Sequence, residues 1–297
     1  MKDQAEKLRT MAKSLKTKIE ADMVKGFNHT RVIVVTSGKG GVGKTNLALN
    51  LSIAMSQLGS RVILFDADMG LANVDIIMGL APKYNLYHVI RKEKDIKDIM
   101  LSGPKGLKII PGGSGVFELA NLSDADLKRV ISELGKLDGD TEYMVIDTGA
   151  GISNSVLSFV LTADEIIVVT TPEPTSLTDA YGIIKTAASK EAGGKIFVIV
   201  NRVSTETEGI LVGQKLKSVT QRFLGVEVEI LGHVLEDRAV EEAVMRQEPF
   251  VVSFPSSSAA KNVNELASRL CDITGGNTVR RSQGLKSFFK NLTSLWR

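Results

Sequence analysis

The chain has 297 residues, 43% hydrophobic and 24% charged, which suits an ordinary soluble protein of one large α/β domain or two small ones. One cysteine, Cys271, excludes a disulfide framework and a cysteine-rich metal site, and fits a reducing cytoplasm. The net charge of +3 is uneven: residues 1–25 carry +3 and residues 276–297 carry +5, so the 250 between them sum to −5, which disfavours DNA binding by the core and leaves the ends to attract acidic partners, anionic lipid included.

In chain order, the N-terminus lacks the apolar core of a secretory signal. Residues 1–25 read instead as a helical arm. Asp3 and Glu6 can cap its start, and Ala5, Leu8, Ala12, Leu15 and Ile19 line one apolar stripe. That stripe either meets a partner or packs on the chain's own core. Apolar runs rich in β-branched residues follow: RVIVV (31–35), RVILF (61–65), LKII (107–110), YMVI (143–146), EIIVVTT (165–171), KIFVIV (195–200) and EVEILGHV (227–234). Most are apolar at successive positions, as parallel strands covered on both faces are. Between them lie helix-length segments, such as 44–58, closed by Gly59, and 123–137, opened by Ser123 and Asp124. The alternation predicts an α/β fold with a doubly wound, mostly parallel sheet. Residues 274–284 read as a linker from their Gly, Ser and Asn content. Three regions result: the arm 1–25, a core 26–275, and the linker with a C-terminal amphipathic helix, 276–297.

The chemistry concentrates at strand ends. GKGGVGKT (38–45) is a phosphate-binding loop between the strand RVIVV and a helix, the context the motif requires. Nucleotide contacts are expected from Gly38, Gly40, Gly41, Val42, Gly43, Lys44, Thr45 and Asn46, with Lys44 on the β- and γ-phosphates and Thr45 on Mg²⁺. Lys39, in the same loop, has no evident task. YMVID ends in Asp147, placed to hold Mg²⁺ through water, and TGAG (148–151) can sense the γ-phosphate. LFDADMG puts Asp66 and Asp68 at another strand end, one to orient the attacking water and one to support Mg²⁺. KIFVIVNRV ends in Asn201, whose amide suits the adenine edge, and Arg202, which can stack on the base.

The tail GLKSFFKNLTSLWR aligns Leu285, Phe288, Phe289, Leu292, Leu295 and the only tryptophan, Trp296, on one helix face. Too short to span a bilayer, this helix can lie in an anionic membrane surface or dock into a groove on the core, and both can hold in turn.

Together these residues resemble the MinD/ParA family of deviant-Walker-A ATPases. KGGVGKT, DADMGLANVDIIMGL (66–80), VIDTGAG (145–151), VVTTPEPTSLTDAYGIIK (168–185) and VNR (200–202) carry the likeness over roughly residues 29–273. The resemblance implies a homodimer closed around two ATP molecules, with Lys39 reaching the phosphates of the other subunit. It implies that Asp68 orients water, that Asp66 lies near the metal, and that Glu236, Asp237 and Arg238 flank the adenine. One departure is Gly149, where MinD-like sequences often carry proline. Within the family, DQAEKLR (3–9) and the Asn46 of KTNLALNLS resemble the FlhG (YlxH/FleN) regulators of flagellar number and placement. In those, the N-terminal motif stimulates the GTPase FlhF. Asp3, Gln4, Leu8 and Arg9 are then the partner-activating residues, Gln4 foremost. The reading is a cytoplasmic, Mg²⁺-dependent, slowly turning-over ATPase that joins the inner membrane face when ATP-bound and contacts FlhF and flagellar switch-complex proteins. A MinD-type division regulator and a ParA-type partitioning ATPase are the alternatives. A metabolic ATPase carrying an iron–sulfur cluster is disfavoured, because Cys271 alone cannot supply its ligands.

Overall fold

The computed structural model describes residues 29–68, 74–112, 123–275 and 283–296. Asp3, Gln4, Leu8 and Arg9 lie outside the described residues. Strand Arg31–Ser37 (β1) leads through the glycine loop into helix Lys44–Gln57 (α1). Strand Val62–Ala67 (β2) and three short helices follow, Val74–Ile77 (α2), Leu86–Ile90 (α3) and Ile96–Ile99 (α4). Next come Leu101–Ser102 (β3), Lys108–Ile110 (β4), Asp124–Gly135 (α5), Tyr143–Ala150 (β5), Asn154–Thr162 (α6), Glu165–Thr170 (β6) and Pro174–Ser189 (α7). Lys195–Val203 (β7), Glu206–Leu224 (α8), Glu229–Leu235 (β8), Arg238–Met245 (α9), Phe250–Ser253 (α10), Ser258–Gly275 (α11) and Gly284–Ser294 (α12) complete the order.

Among the described residues eight strands form one sheet in the order β3-β4-β2-β5-β1-β6-β7-β8, parallel except where β3 meets β4. The doubly wound expectation therefore holds. The two-residue β3 at the edge is too short to register as an apolar run. Successive strand residues feed opposite layers. Val32, Val34, Phe65, Ile146 and Val168 pack on one face, Ile33, Val35, Leu64, Val145 and Ile167 on the other. Both faces are covered, so the strands read as unbroken apolar runs. The Ser123 hydroxyl caps α5 by accepting from the Asp126 N–H, as its position before an apolar-periodic stretch suggested.

The tail helix α12 lies against α5, α6 and β1. Leu285, Phe288, Phe289 and Leu292 are 0–2% exposed, while Leu295 is half exposed. Phe289 meets Phe65 of β2 edge-on at 6.2 Å between ring centroids. Phe159 of α6 stacks on Phe288 at 6.5 Å and meets Trp296 edge-on at 5.9 Å. Here the apolar face of the tail is part of the main core. Among the described residues no helix is long and apolar enough to cross a membrane.

Candidate nucleotide site

The central strand β1 delivers the loop Gly38–Thr45 to the carboxyl edge of the sheet, where open α/β sheets bind ligands. Its turn into α1 depends on Gly43, at φ +86°, where a side-chain carbon would also lie 2.5 Å from Asn201 Nδ2. At Gly38 such a carbon would fall 2.3 Å from the backbone of Asp179 in α7. The free N–H groups at the start of α1 then face the loop, a ready anion site.

Beneath the loop, Lys44 Nζ donates to Asp147 Oδ1 at 2.7 Å, and the Thr45 side chain lies near enough to the same carboxylate to favour its charged form. Lys44 is 7% and Asp147 0% exposed. Burial pushes the Asp147 carboxyl up from the usual range, opposed by Lys44 and Thr45. Its Oδ2 is buried without a hydrogen-bond partner. Asp66 sits beside Asp147 in the β2–β5 register. Burial first, and the Asp147 charge second, raise its pKa to about 7, against backbone N–H bonds from Val74 and Asp68. Among the described residues, no group of three or more His, Cys, Asp or Glu side chains is gathered as a metal cage. What the site offers is the Thr45 hydroxyl and the Asp147 carboxylate with its unbonded oxygen. Mg²⁺ fits such a set, since it keeps most of its waters and takes one or two protein oxygens plus phosphate.

Asp68 closes β2, and its carboxylate faces Gly149 of β5: a side-chain carbon built at 149 would lie 3.5 Å from Asp68 Oδ1, an ordinary contact. The glycine at 149 is therefore not forced by that neighbour. The Gly151 N–H donates to the Ser37 carbonyl at 2.8 Å, tying this segment back to the start of the loop. Lys39 turns outward. Its Nζ donates to Glu173 Oε2 at 2.8 Å and reaches Thr175 Oγ1 at 3.4 Å, both at the start of α7.

A cavity of about 410 Å³ opens beside the loop, lined by Gly41, Gly43, Asn46, Asn201, Arg202, Glu236 and Asp237. The fold thus brings these sequence-predicted residues around one cavity. Asn201 Nδ2 donates to the Val42 carbonyl at 2.8 Å, so its donor serves the loop itself. Arg202 sits at φ +58° beside a register shift in the β7–β8 pairing, and its guanidinium lies 3.4 Å from the Gly41 carbonyl. The Asp237 carboxylate caps α9 through the Ala239 N–H and also accepts from Ala259, so it fastens two helices. Sequence reasoning missed the apolar wall: Val240 and Val244 of α9, Met245 and Phe250. The i, i+4 pair Val240–Val244 after LEDR was a usable signal; Phe250 gave none. Glu173 was also missed.

Residues 33–250 match the family model for the CobQ/CobB/MinD/ParA nucleotide-binding domain. The chain belongs to that family. It is a Mg²⁺-dependent ATPase. It is 40% identical to the antiactivator FleN of Pseudomonas aeruginosa over 240 residues, 81% of this chain and 86% of FleN. It is 34% identical to the flagellum site-determining protein YlxH of Helicobacter pylori over 267 residues, 89% and 90% of the two chains. Among solved structures, the septum site-determining protein MinD of Pyrococcus horikoshii, complexed with Mg-ADP, superposes with a TM-score of 0.66 at 26% identity, covering 83% of this chain and 98% of that one.

Proposed function

We propose that this chain is an ATP-driven switch of the FlhG type that sets the number and placement of flagella. The observation that carries the reading is its likeness, over four-fifths or more of its length, to the antiactivator FleN and to YlxH, a flagellum site-determining protein. In this reading ATP closes a homodimer, Lys39 leaves Glu173 for the partner's phosphates, and the arm 1–25 engages the FlhF GTPase. Switch-complex proteins of the flagellum are further partners. The septum-site MinD of Synechocystis is 32% identical over 81% of this chain, which keeps a division-site role as the second reading.

Within one site the residues divide the work. Lys44 exchanges Asp147 for phosphate oxygens, which frees the Asp147 carboxylate to face the metal side with Thr45. Mg²⁺, when bound, supplies the positive charge that neutralises the phosphates. Asp68, between Asp66 and Gly149, orients the attacking water. Turnover is slow, because a site supplied with a lysine and a single oriented water resembles an unstimulated switch nucleotidase.

The tail gives the switch its output. With α12 docked, its apolar face is covered and cannot meet a membrane. Undocking exposes Leu285, Phe288, Phe289 and Leu292, at about 1.5–3 kcal/mol each. A bilayer surface offsets that cost by burying the same side chains. Liposome flotation with anionic vesicles tests this: binding should require ATP and disappear in Phe289→Glu. Binding indifferent to ATP sinks the tail mechanism. For the flagellar reading, FlhF GTPase turnover is measured with a peptide of residues 1–25 and with the full chain. Stimulation is expected; none from either favours the division-site role.

A further inference from the structure

The phosphate loop and the base pocket are joined by a residue that lines neither. Asn50 lies on α1, six residues beyond Lys44, and is fully buried. Its Nδ2 donates to the Asn46 carbonyl at 2.8 Å, and its Oδ1 accepts from the Val251 N–H at 3.0 Å. The partners fix the amide's orientation, since a carbonyl cannot donate and a backbone N–H cannot accept. Asn46 and Phe250 both line the cavity beside the loop, whereas Asn50 does not. One planar side chain therefore bridges the helix that seats the phosphates to the short helix α10 that forms the pocket's apolar back wall.

The bond is demanding. The Val251 N–H is a first-turn donor of α10, without a carbonyl partner in its own helix. Phe250 and Val251 are buried in the apolar layer with Leu47, Leu51 and Val263. No competing solvent is at hand, so the donor must find a side chain. Asn presents a donor and an acceptor on one short rigid group. Asp lacks the donor, and Ser is too short to serve both partners.

We propose that Asn50 is a positioning residue for base recognition. It sets the distance between the phosphate seat and the Phe250 wall, so that the base fits when the phosphates are in place. This concerns the nucleotide site alone and does not depend on the flagellar reading.

The test compares Asn50→Asp and Asn50→Ser with the parent full-length chain. Mg-ADP, Mg-GDP and Mg-tripolyphosphate binding are measured by calorimetry, and ATP hydrolysis gives KM and kcat. The ADP dissociation constant and the KM for ATP should rise about tenfold, the scale of one lost buried hydrogen bond. Preference for ADP over GDP should shrink. Tripolyphosphate affinity and kcat should stay within about twofold, because Lys44 and the loop are untouched. Unchanged ADP binding overturns the proposal. So does equal weakening of ADP and tripolyphosphate, which marks a general structural role. Should the variants fail to fold, hydrogen exchange on the parent chain decides: Mg-ADP should slow exchange at the Val251 amide and tripolyphosphate should not. No ADP-specific slowing overturns it equally.

Discussion

The two ends of the phosphate loop each carry a lysine bonded to a carboxylate, at 2.7 Å for Lys44–Asp147 and 2.8 Å for Lys39–Glu173. The bond lengths match; the surroundings do not. The Lys44 pair is sealed at the sheet edge beneath the loop. In the other pair, Lys39 is 43% and Glu173 60% exposed. A buried pair that loses one partner leaves a stranded charge, so it is expensive to break. An exposed pair is screened by water and holds weakly. Lys44 is thus committed to its own chain, whereas Lys39 can be given up to another partner at small cost.

The largest test of this contrast is Lys44→Ala. It strands Asp147 and should destabilise the nucleotide-free chain by about 3 kcal/mol, read by urea denaturation, besides abolishing nucleotide binding. An unchanged denaturation midpoint would erase the contrast.

Next is the acidic neighbour of the interior pair. The Asp66 pKa of about 7 lies above its unfolded value of 3.8. The folded state therefore holds a proton that the unfolded chain releases. Stability should fall as pH rises from 5.5 to 7 and level off above, on the order of 2 kcal/mol across that window. Asp66→Asn should flatten the slope. Bound Mg²⁺ should also flatten it by favouring the carboxylate. A slope of opposite sign refutes this assignment.

Lys39→Ala should have the smallest effect on stability, with no measurable shift in melting temperature, yet it should lose ATP-dependent dimerisation and hydrolysis. A variant that still dimerises and turns over like the parent breaks the proposed role across the dimer. Glu173→Gln should loosen the resting pair and let the dimer form at lower ATP, measured by light scattering. The pair holds Glu173 below the ordinary carboxylate range, so acid must go further to release Lys39.

How much of this was written in the sequence depends on range. The loop from Gly38 to Thr45 was legible because its geometry is set by neighbours in the chain, Gly43 above all. The strand runs were legible because both sheet faces are buried. The Glu173 partner of Lys39 was not, since 134 positions separate them. Phe250 reaches the pocket through packing that no short motif encodes. The tail was read as an apolar stripe, and a stripe is the same whether a bilayer or a sheet covers it. Phe65 of the sheet and Phe159 of helix α6, which cover the stripe here, lie far back in the chain.

The docked tail also sets an order of assembly. Every other described element leaves the ribosome before α12, at roughly 5–20 residues per second. Until Phe288 and Phe289 emerge, the rings of Phe65 and Phe159 lack their partners from α12.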